Sequence, residues 1–462
     1  MKRTLGLWMV IALAGPAFSQ APAAKKLELR PAAAAAPALK YQLLPTISDL
    51  EPGNAVQIYY RAMLPEIFSH RRQKDIDDKF QKWMKLPLQE LPREEMAWLL
   101  TYRPLLECDS AARREQCDWE MVGRLRREGL ATQMSDMQSM RELGRLLQFR
   151  ARLEIADGKH DQALRTLQTS LAQARHLGQS PTLISGLIGV AGTGLAFVAL
   201  EEFIESPGSP NLYWALTALP RPFIDFHQGM QGEKLMVRTI FGQGPGPETE
   251  VLTADALHKL LTDMIVVQAA MNAEQARKHI AAETGRLYPE ARKALLAAGM
   301  KAEELDKLSQ IQVVARHAQR RYEEAMDDLT KWTYHPAYWE VRPKLQQMEK
   351  SLKERDQLLP GLGAGELIGA VSKAFSANMR TERRIAALRV VEAIRMHAAA
   401  TAGKLPAQLA DITLVPVPVD PWTGKEFDYR LKGDTATLTG PAPPGEEPTN
   451  SNFVQYELTL KK

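Results

Sequence analysis

The chain has 462 residues, 45% of them hydrophobic, with 59 Lys and Arg against 55 Asp and Glu for a net charge of +4. That length and apolar content supply a real core for about two to three domains. A balance so near neutral over such a length gives no global attraction to nucleic acid. The first residues, 1–19, read as a secretory signal peptide: Lys2 and Arg3, an apolar run from Leu5 to Ala14, then Ala17-Phe18-Ser19 as a small-x-small cleavage signal before Gln20. The run is shorter than the ~20 residues that span a bilayer, so an exported protein, periplasmic or extracellular, is expected, with no integral membrane span after cleavage. Cleavage takes two positive charges off the net +4 and leaves +2.

Residues 20–40 are rich in Ala and Pro, with Ala32 to Ala36 in a row, and read as a disordered linker. A helical domain is expected over 41–240. It holds both cysteines of the chain, Cys108 and Cys117. In an oxidising compartment they are expected to form a disulfide. On one continuous helix their Cα atoms would stand ~13.5 Å apart, whereas a disulfide needs about 4.4–6.8 Å. The chain must therefore turn between them, with a helix over Met96 to Leu106, a loop over Asp109 to Glu115 and a second helix from about Asp118. The other reading is a pair of reduced or metal-binding thiols, for which no neighbouring His or Cys stands at zinc spacing.

Ser135 to Ala156 carries Met137, Met140, Leu143, Leu146, Leu147, Ala151 and Leu153 at helical spacing, and His160 to Leu177 repeats the pattern with Ala163, Leu164, Leu167, Leu171 and Ala174. The connection Ala156-Asp157-Gly158-Lys159-His160 resembles the turn of a tetratricopeptide-type helical hairpin. No neighbouring copy follows at the same period, so the expected fold is mainly α, a helical bundle or irregular solenoid with one tetratricopeptide-like hairpin. Thr182 to Leu200 is uncharged and carries Gly186, Gly189, Gly192 and Gly194. It reads as a buried central helix, or as a membrane helix with close glycine contacts.

Beyond a short helix at Asn211 to Leu216 and the turn Leu219-Pro220-Arg221-Pro222, a Gly/Pro loop is expected at 241–251. Long helical hairpins follow over 252–375, from Thr253 to Thr284, Glu303 to Thr333 and Tyr338 to Leu358. Gly361, Gly363, Gly365 and Gly369 interrupt the pattern before a last helix, Ser376 to Ala402. The tail of the 376–462 segment alternates β-favouring runs, among them Val415 to Val419, Glu426 to Leu431 and Thr435 to Thr439, with turns at Asp420-Pro421-Trp422-Thr423-Gly424 and Lys432-Gly433-Asp434. A small antiparallel β-hairpin of two or three strands is expected there.

This tail is similar to the C-terminal region of type II secretion pseudopilins through Arg383, Leu388, Ala393, Gly403-Lys404-Leu405-Pro406, Leu409, Asp420-Pro421-Trp422, Gly424, Phe427-Asp428-Tyr429-Arg430 and Gly433-Asp434. The likeness covers about 60 residues and implies association with a secretion or pilus-like assembly. Such pseudopilins bind calcium near the hairpin, but residues after Thr439 turn Pro-rich here and supply no further Asp ligands, so no metal and no cofactor are expected. The front of the chain resembles uncharacterised secreted proteins of planctomycete-type bacteria through Tyr41-Gln42-Leu43-Leu44-Pro45, Pro52-Gly53-Asn54-Ala55 and Asn211-Leu212-Tyr213-Trp214-Ala215-Leu216.

Motifs of metal-dependent proteolysis, serine hydrolysis, phosphate binding and dinucleotide binding are missing. Tyr213 and Trp214 line a ligand groove or dock their helix on the bundle. Asp225 and His227 form an acid–base pair or a capping turn. The leading expectation is a non-catalytic envelope protein that binds another envelope protein. A secretion-assembly component and an enzyme of unrecognised class, with its site near Trp214 and Asp225, stand as alternatives.

Overall fold

The computed structural model describes residues 23–68, 73–129, 132, 134–240, 252–268, 271–355, 364–450 and 452–461. The expected signal peptide at 1–19 and the Gly/Pro loop at 241–251 lie outside them. In chain order the elements are β1 (Lys25–Leu29), β2 (Glu51–Asn54), α1 (Ala55–Phe68), α2 (Gln73–Lys85), α3 (Arg93–Met96), α4 (Arg103–Ala111), β3 (Arg114–Gln116), α5 (Met121–Glu128), α6 (Ser135–Ala156), α7 (His160–Gly178) and α8 (Leu183–Glu205). There follow α9 (Tyr213–Thr217), α10 (His227–Ile240), α11 (Ala254–Gln268), α12 (Ala273–Ala297), α13 (Ala302–Leu305), α14 (Gln310–Thr333), α15 (Tyr338–Arg355), α16 (Ala364–Ala400), β4 (Asp428–Lys432), β5 (Thr435–Gly440) and β6 (Val454–Leu460). The protein is mainly helical, with a C-terminal group of strands.

The hairpin α6–α7 forms where its apolar stripes predict, and α8 packs against both of its helices. The glycines of α8 act at that contact. A Cβ on Gly189 would lie 2.7 Å from the carbonyl oxygen of Ala174, and one on Gly186 would lie 2.6 Å from the Phe226 ring. By length and composition α8 would also cross a membrane, but most of its apolar stretch is covered inside the protein. Two apolar cores result. One is built by α1, α4 and one side of α6, around Tyr59, Leu105, Leu143 and Phe149. The other runs from Leu27 through Phe197, Leu216, Val314 and Leu388 to Leu458, so the chain's two ends share one interior.

The strands differ most from expectation. Residues 20–40 are not a linker throughout: Leu27 and Leu29 are fully buried on β1, which pairs in parallel with β6 in a sheet of order β1-β6-β5-β4. The alternation Lys26-Leu27-Glu28-Leu29 is a strand pattern, too short to stand out beside the Ala/Pro tract. β4 and β5 form the expected hairpin, Asp428 opposite Thr439, and β6 adds an antiparallel third strand beyond the Pro-rich stretch. Val415 to Val419 takes no strand, because Pro416 and Pro418 lack the N–H that a ladder needs.

Several helix boundaries move as well. The expected helix Thr253 to Thr284 is two helices, the second started by a capping box in which Asn272 accepts from Gln275 N–H and the Gln275 side chain accepts from Asn272 N–H. Gly365 and Gly369 lie inside α16 instead of interrupting it. Met96 to Leu106 breaks at Thr101–Tyr102, and α4 starts only at Arg103, with Pro104 in its first turn. The chain does turn between the cysteines, through β3. The expected disulfide is absent: Cys108 and Cys117 are free thiols. Cys108 is fully buried in the front core and Cys117 packs at its edge, so each sulfur is accommodated as a small apolar group. Burial pushes both thiols up, Cys117 to about 12.

Buried arginines tie the helices to the tail. Arg383 holds Asp420 at 2.5 Å and the carbonyls of Asn452 and Pro441. Arg395 reaches Glu392, Ser209 and the carbonyl of Arg30. On α8, Glu201 accepts from Arg384 at 2.7 Å, from the Tyr456 hydroxyl at 2.7 Å and from Lys25, which joins β1, α8, α16 and β6 at one carboxylate. Glu202, the next residue, points to Arg152 at 2.8 Å on the other side, as ~100° of helical rotation requires.

Candidate functional site

A concavity of about 680 Å³ runs along α16. Its floor is one helical stripe, Phe375, Asn378, Met379, Glu382, Ile385, Ala386 and Arg389, which at 1.5 Å per residue extends ~21 Å. One wall is the segment from Arg221 to Met230 that leads into α10. The other combines the turn Thr333 to Trp339, between α14 and α15, with Pro416, Pro418, Val419 and Pro421. Tyr334, 61% exposed, and Val419, 45% exposed, stand at the rim.

Both walls are held from behind. Phe223, Ile224 and Phe226 are buried in the core, which leaves Asp225 exposed between them. Asn378 donates its Nδ2 to the Ile224 carbonyl at 2.8 Å, and Glu382 accepts the Phe223 N–H at 2.6 Å, so α16 grips two consecutive residues of the wall. Opposite, Tyr338 packs on Trp422 with ring centres 5.8 Å apart. Trp339 lies against Gly424, where φ is +68° and a Cβ would come within 2.5 Å of the indole. Only glycine satisfies both the backbone and that contact.

The polar groups of the groove are few and unevenly partnered. His227 Nδ1 stands 2.6 Å from Asp225 Oδ1, and its ring stacks on Tyr334 with centres 4.0 Å apart. Its Nε2 is buried and has no hydrogen-bond partner; the same is true of Asn378 Oδ1. Burial pushes the Glu382 carboxyl up, although the Phe223 N–H and Arg221 oppose it. Arg389 spends its donors on the Thr217 hydroxyl at 2.9 Å and the Tyr213 hydroxyl at 3.3 Å. Burial, and then the charge of Arg221, push its guanidinium down.

No family model, curated protein or solved structure matches this chain. Its function must be argued from the groove. Of the candidates taken from the sequence, Asp225 and His227 line it together. Tyr213 is fully buried behind it, its hydroxyl bonded to the Pro416 carbonyl, and thereby props the proline wall. Trp214 lies off the groove, edge-on to Tyr213 at 5.1 Å. Asn378, Glu382, Arg389, Tyr334 and Trp339 are the groove residues that pattern did not single out. The available signal was the polar set Asn378, Glu382 and Arg389, at spacings of four and seven on an otherwise apolar helical face.

Among the described residues that line the groove there is no Ser or Cys, and Thr333 donates its hydroxyl to the Thr330 carbonyl. Nor does any group of three or more His, Cys, Asp or Glu among the described residues stand close enough to hold a metal ion. What the arrangement offers is an apolar, aromatic trough with buried polar atoms that lack partners.

Proposed function

We propose that the chain is an exported binding protein of the cell envelope, whose helical body holds the α16 groove open for an extended apolar segment of another envelope protein. The observation that carries the reading is the ~21 Å length of the groove along α16, lined by Phe375, Tyr334, Tyr338, Trp339 and five prolines. At ~3.3 Å per residue that length takes about six residues of extended chain, and aromatic linings supply binding area at low entropic cost. A secretion-assembly role is supported by the order of a 37-residue helix followed by three antiparallel strands. It is opposed by the burial of α16 from Ile385 to Met396, which leaves no free helix to assemble with others.

A photo-crosslinking side chain placed at Val419 of the exported protein tests the binding reading. Crosslinks to one envelope protein that disappear with Tyr334→Glu support it. Crosslinks unaffected by Tyr334→Glu place the contact elsewhere and overturn it.

A further inference from the structure

We infer that the part of the groove between Asn378, Glu382 and His227 is a seat for a primary ammonium group carried on an apolar or aromatic body, either a free arylalkyl amine or a lysine side chain of the bound segment. This deepens the binding reading and rests on it.

Two buried atoms there, Asn378 Oδ1 and His227 Nε2, have no hydrogen-bond partner, and the half-buried Glu382 carboxyl has one oxygen unbonded. The Asn378 amide cannot turn over, because its Nδ2 donates to the Ile224 carbonyl and reversal would set oxygen against oxygen; Oδ1 is therefore an acceptor, on a side chain 1% exposed and without a partner. Asp225 Oδ1 accepts the His227 backbone N–H and stands 2.6 Å from Nδ1 of the ring, and Nε2 on the other side of the ring is buried and without a partner. Glu382 spends Oε1 on the Phe223 N–H, and among the described residues nothing is bonded to its second oxygen. Asn378 and Glu382 are one turn apart on α16, so their Cβ atoms stand ~6 Å from each other. Their bonds to Ile224 and Phe223, consecutive residues just before Asp225 and His227, hold the segment that carries His227 against the same helix, and all three side chains line the groove.

A buried acceptor left unpaired costs about 1–3 kcal/mol, so Asn378 Oδ1, with the unbonded Glu382 oxygen one turn away, favours a ligand that brings donors. A hydroxyl brings one, water two and an ammonium three, together with a charge opposite to that of Glu382. The neighbouring rings of Tyr334, Tyr338 and Phe375 suit a cation and its hydrocarbon. The neighbouring cations leave the oxygen unbonded: Arg221 acts on Glu382 by its charge from an exposed position, Arg175 lies over the Phe223 ring within reach of the Asp225 charge, and Arg389 lies seven residues further along α16, ~10 Å away, with donors already engaged.

The test is calorimetric titration of the full exported chain at pH 7 with phenethylamine, N-acetylphenethylamine and phenethyl alcohol. The amine is expected to bind at least tenfold more tightly than either neutral analogue. Glu382→Gln, which keeps an acceptor for the Phe223 N–H, is expected to erase that preference. Asp225→Asn is exposed and leaves the core intact; by removing the carboxylate charge beside His227 it is expected to weaken the amine severalfold. A peptide Phe-Lys-Phe blocked at both ends, compared with its acetyl-lysine form, separates the two sources: preference for the unmodified lysine assigns the seat to a partner's side chain, and preference confined to phenethylamine assigns it to a free amine. Equal binding of amine and neutral analogues overturns the ammonium seat and leaves the groove reading standing. Failure of every probe to bind overturns both.

Discussion

Glu201 is the residue whose loss should be felt across the whole molecule, because β1, α8, α16 and β6 meet at its carboxylate. Burial alone would raise its pKa, but Arg384 and Lys25 outweigh burial and hold it at about 2, against a usual 4.5. At ~1.4 kcal/mol for each tenfold, that depression corresponds to roughly 3 kcal/mol of stability, the size expected when one partner of a buried pair is removed. Its sign follows from the depression: the contribution is complete above pH 4.5, where the unfolded carboxyl is also ionised, and is lost as pH falls toward about 2. Glu201→Gln should therefore unfold at lower urea than the parent at pH 7, by roughly 3 kcal/mol. The gap between the two proteins should close between pH 4.5 and about 2. Urea titrations followed by circular dichroism at pH 7, 5, 4 and 3 give both quantities. A gap that stays constant with pH, or is below about 1 kcal/mol at pH 7, refutes the assignment of Glu201 as the charged junction.

The glycines of α8 separate contact from flexibility. Gly189→Ala would set a methyl 2.7 Å from the Ala174 carbonyl and should destabilise by about 1–3 kcal/mol, whereas Gly194→Ala meets nothing within 4 Å and should stabilise by up to ~1 kcal/mol through helix propensity; denaturation midpoints decide. Glu233 is half-buried and its carboxyl is pushed up by desolvation to about 7. Because the folded state then holds a proton that the unfolded state has released, stability should fall as pH rises from 4.5 to about 7. Glu233→Gln should recover up to ~3 kcal/mol of it at pH 8 and nothing at pH 4. Thiol titration should find both cysteines reactive in denaturant without reductant, and Cys108 unreactive in the folded protein; a parent chain with no thiol in denaturant contradicts the free pair.

Asn378 shows why the groove was harder to read than the helices around it. Its helix follows from apolar spacing, and so do α6 and α7, because a 3.6-residue period repeats over many turns and each turn adds to the signal. Whether Asn378 faces solvent or a cavity depends on where Ile224 lies, some 150 residues away in the chain, and no local period encodes that. The same holds for the arginines. Arg383 and Arg395 look like ordinary surface charges, and only Asp420, Asn452, Ser209 and Arg30, drawn in from distant segments, make them interior residues.

By itself the sequence determined the helical class, the α6–α7 hairpin with its Gly158 turn, and the β4–β5 hairpin with its Gly433 turn, all of them local patterns whose energetics are complete within a few dozen residues. Tertiary structure decided that the Ala/Pro-rich beginning of the described chain supplies a strand to the sheet at its end, that Cys108 and Cys117 remain apart as thiols, and that Asp225 and His227 share a groove with α16. Each of these depends on contacts between segments tens to hundreds of residues apart, whose geometry is fixed only once both cores are packed.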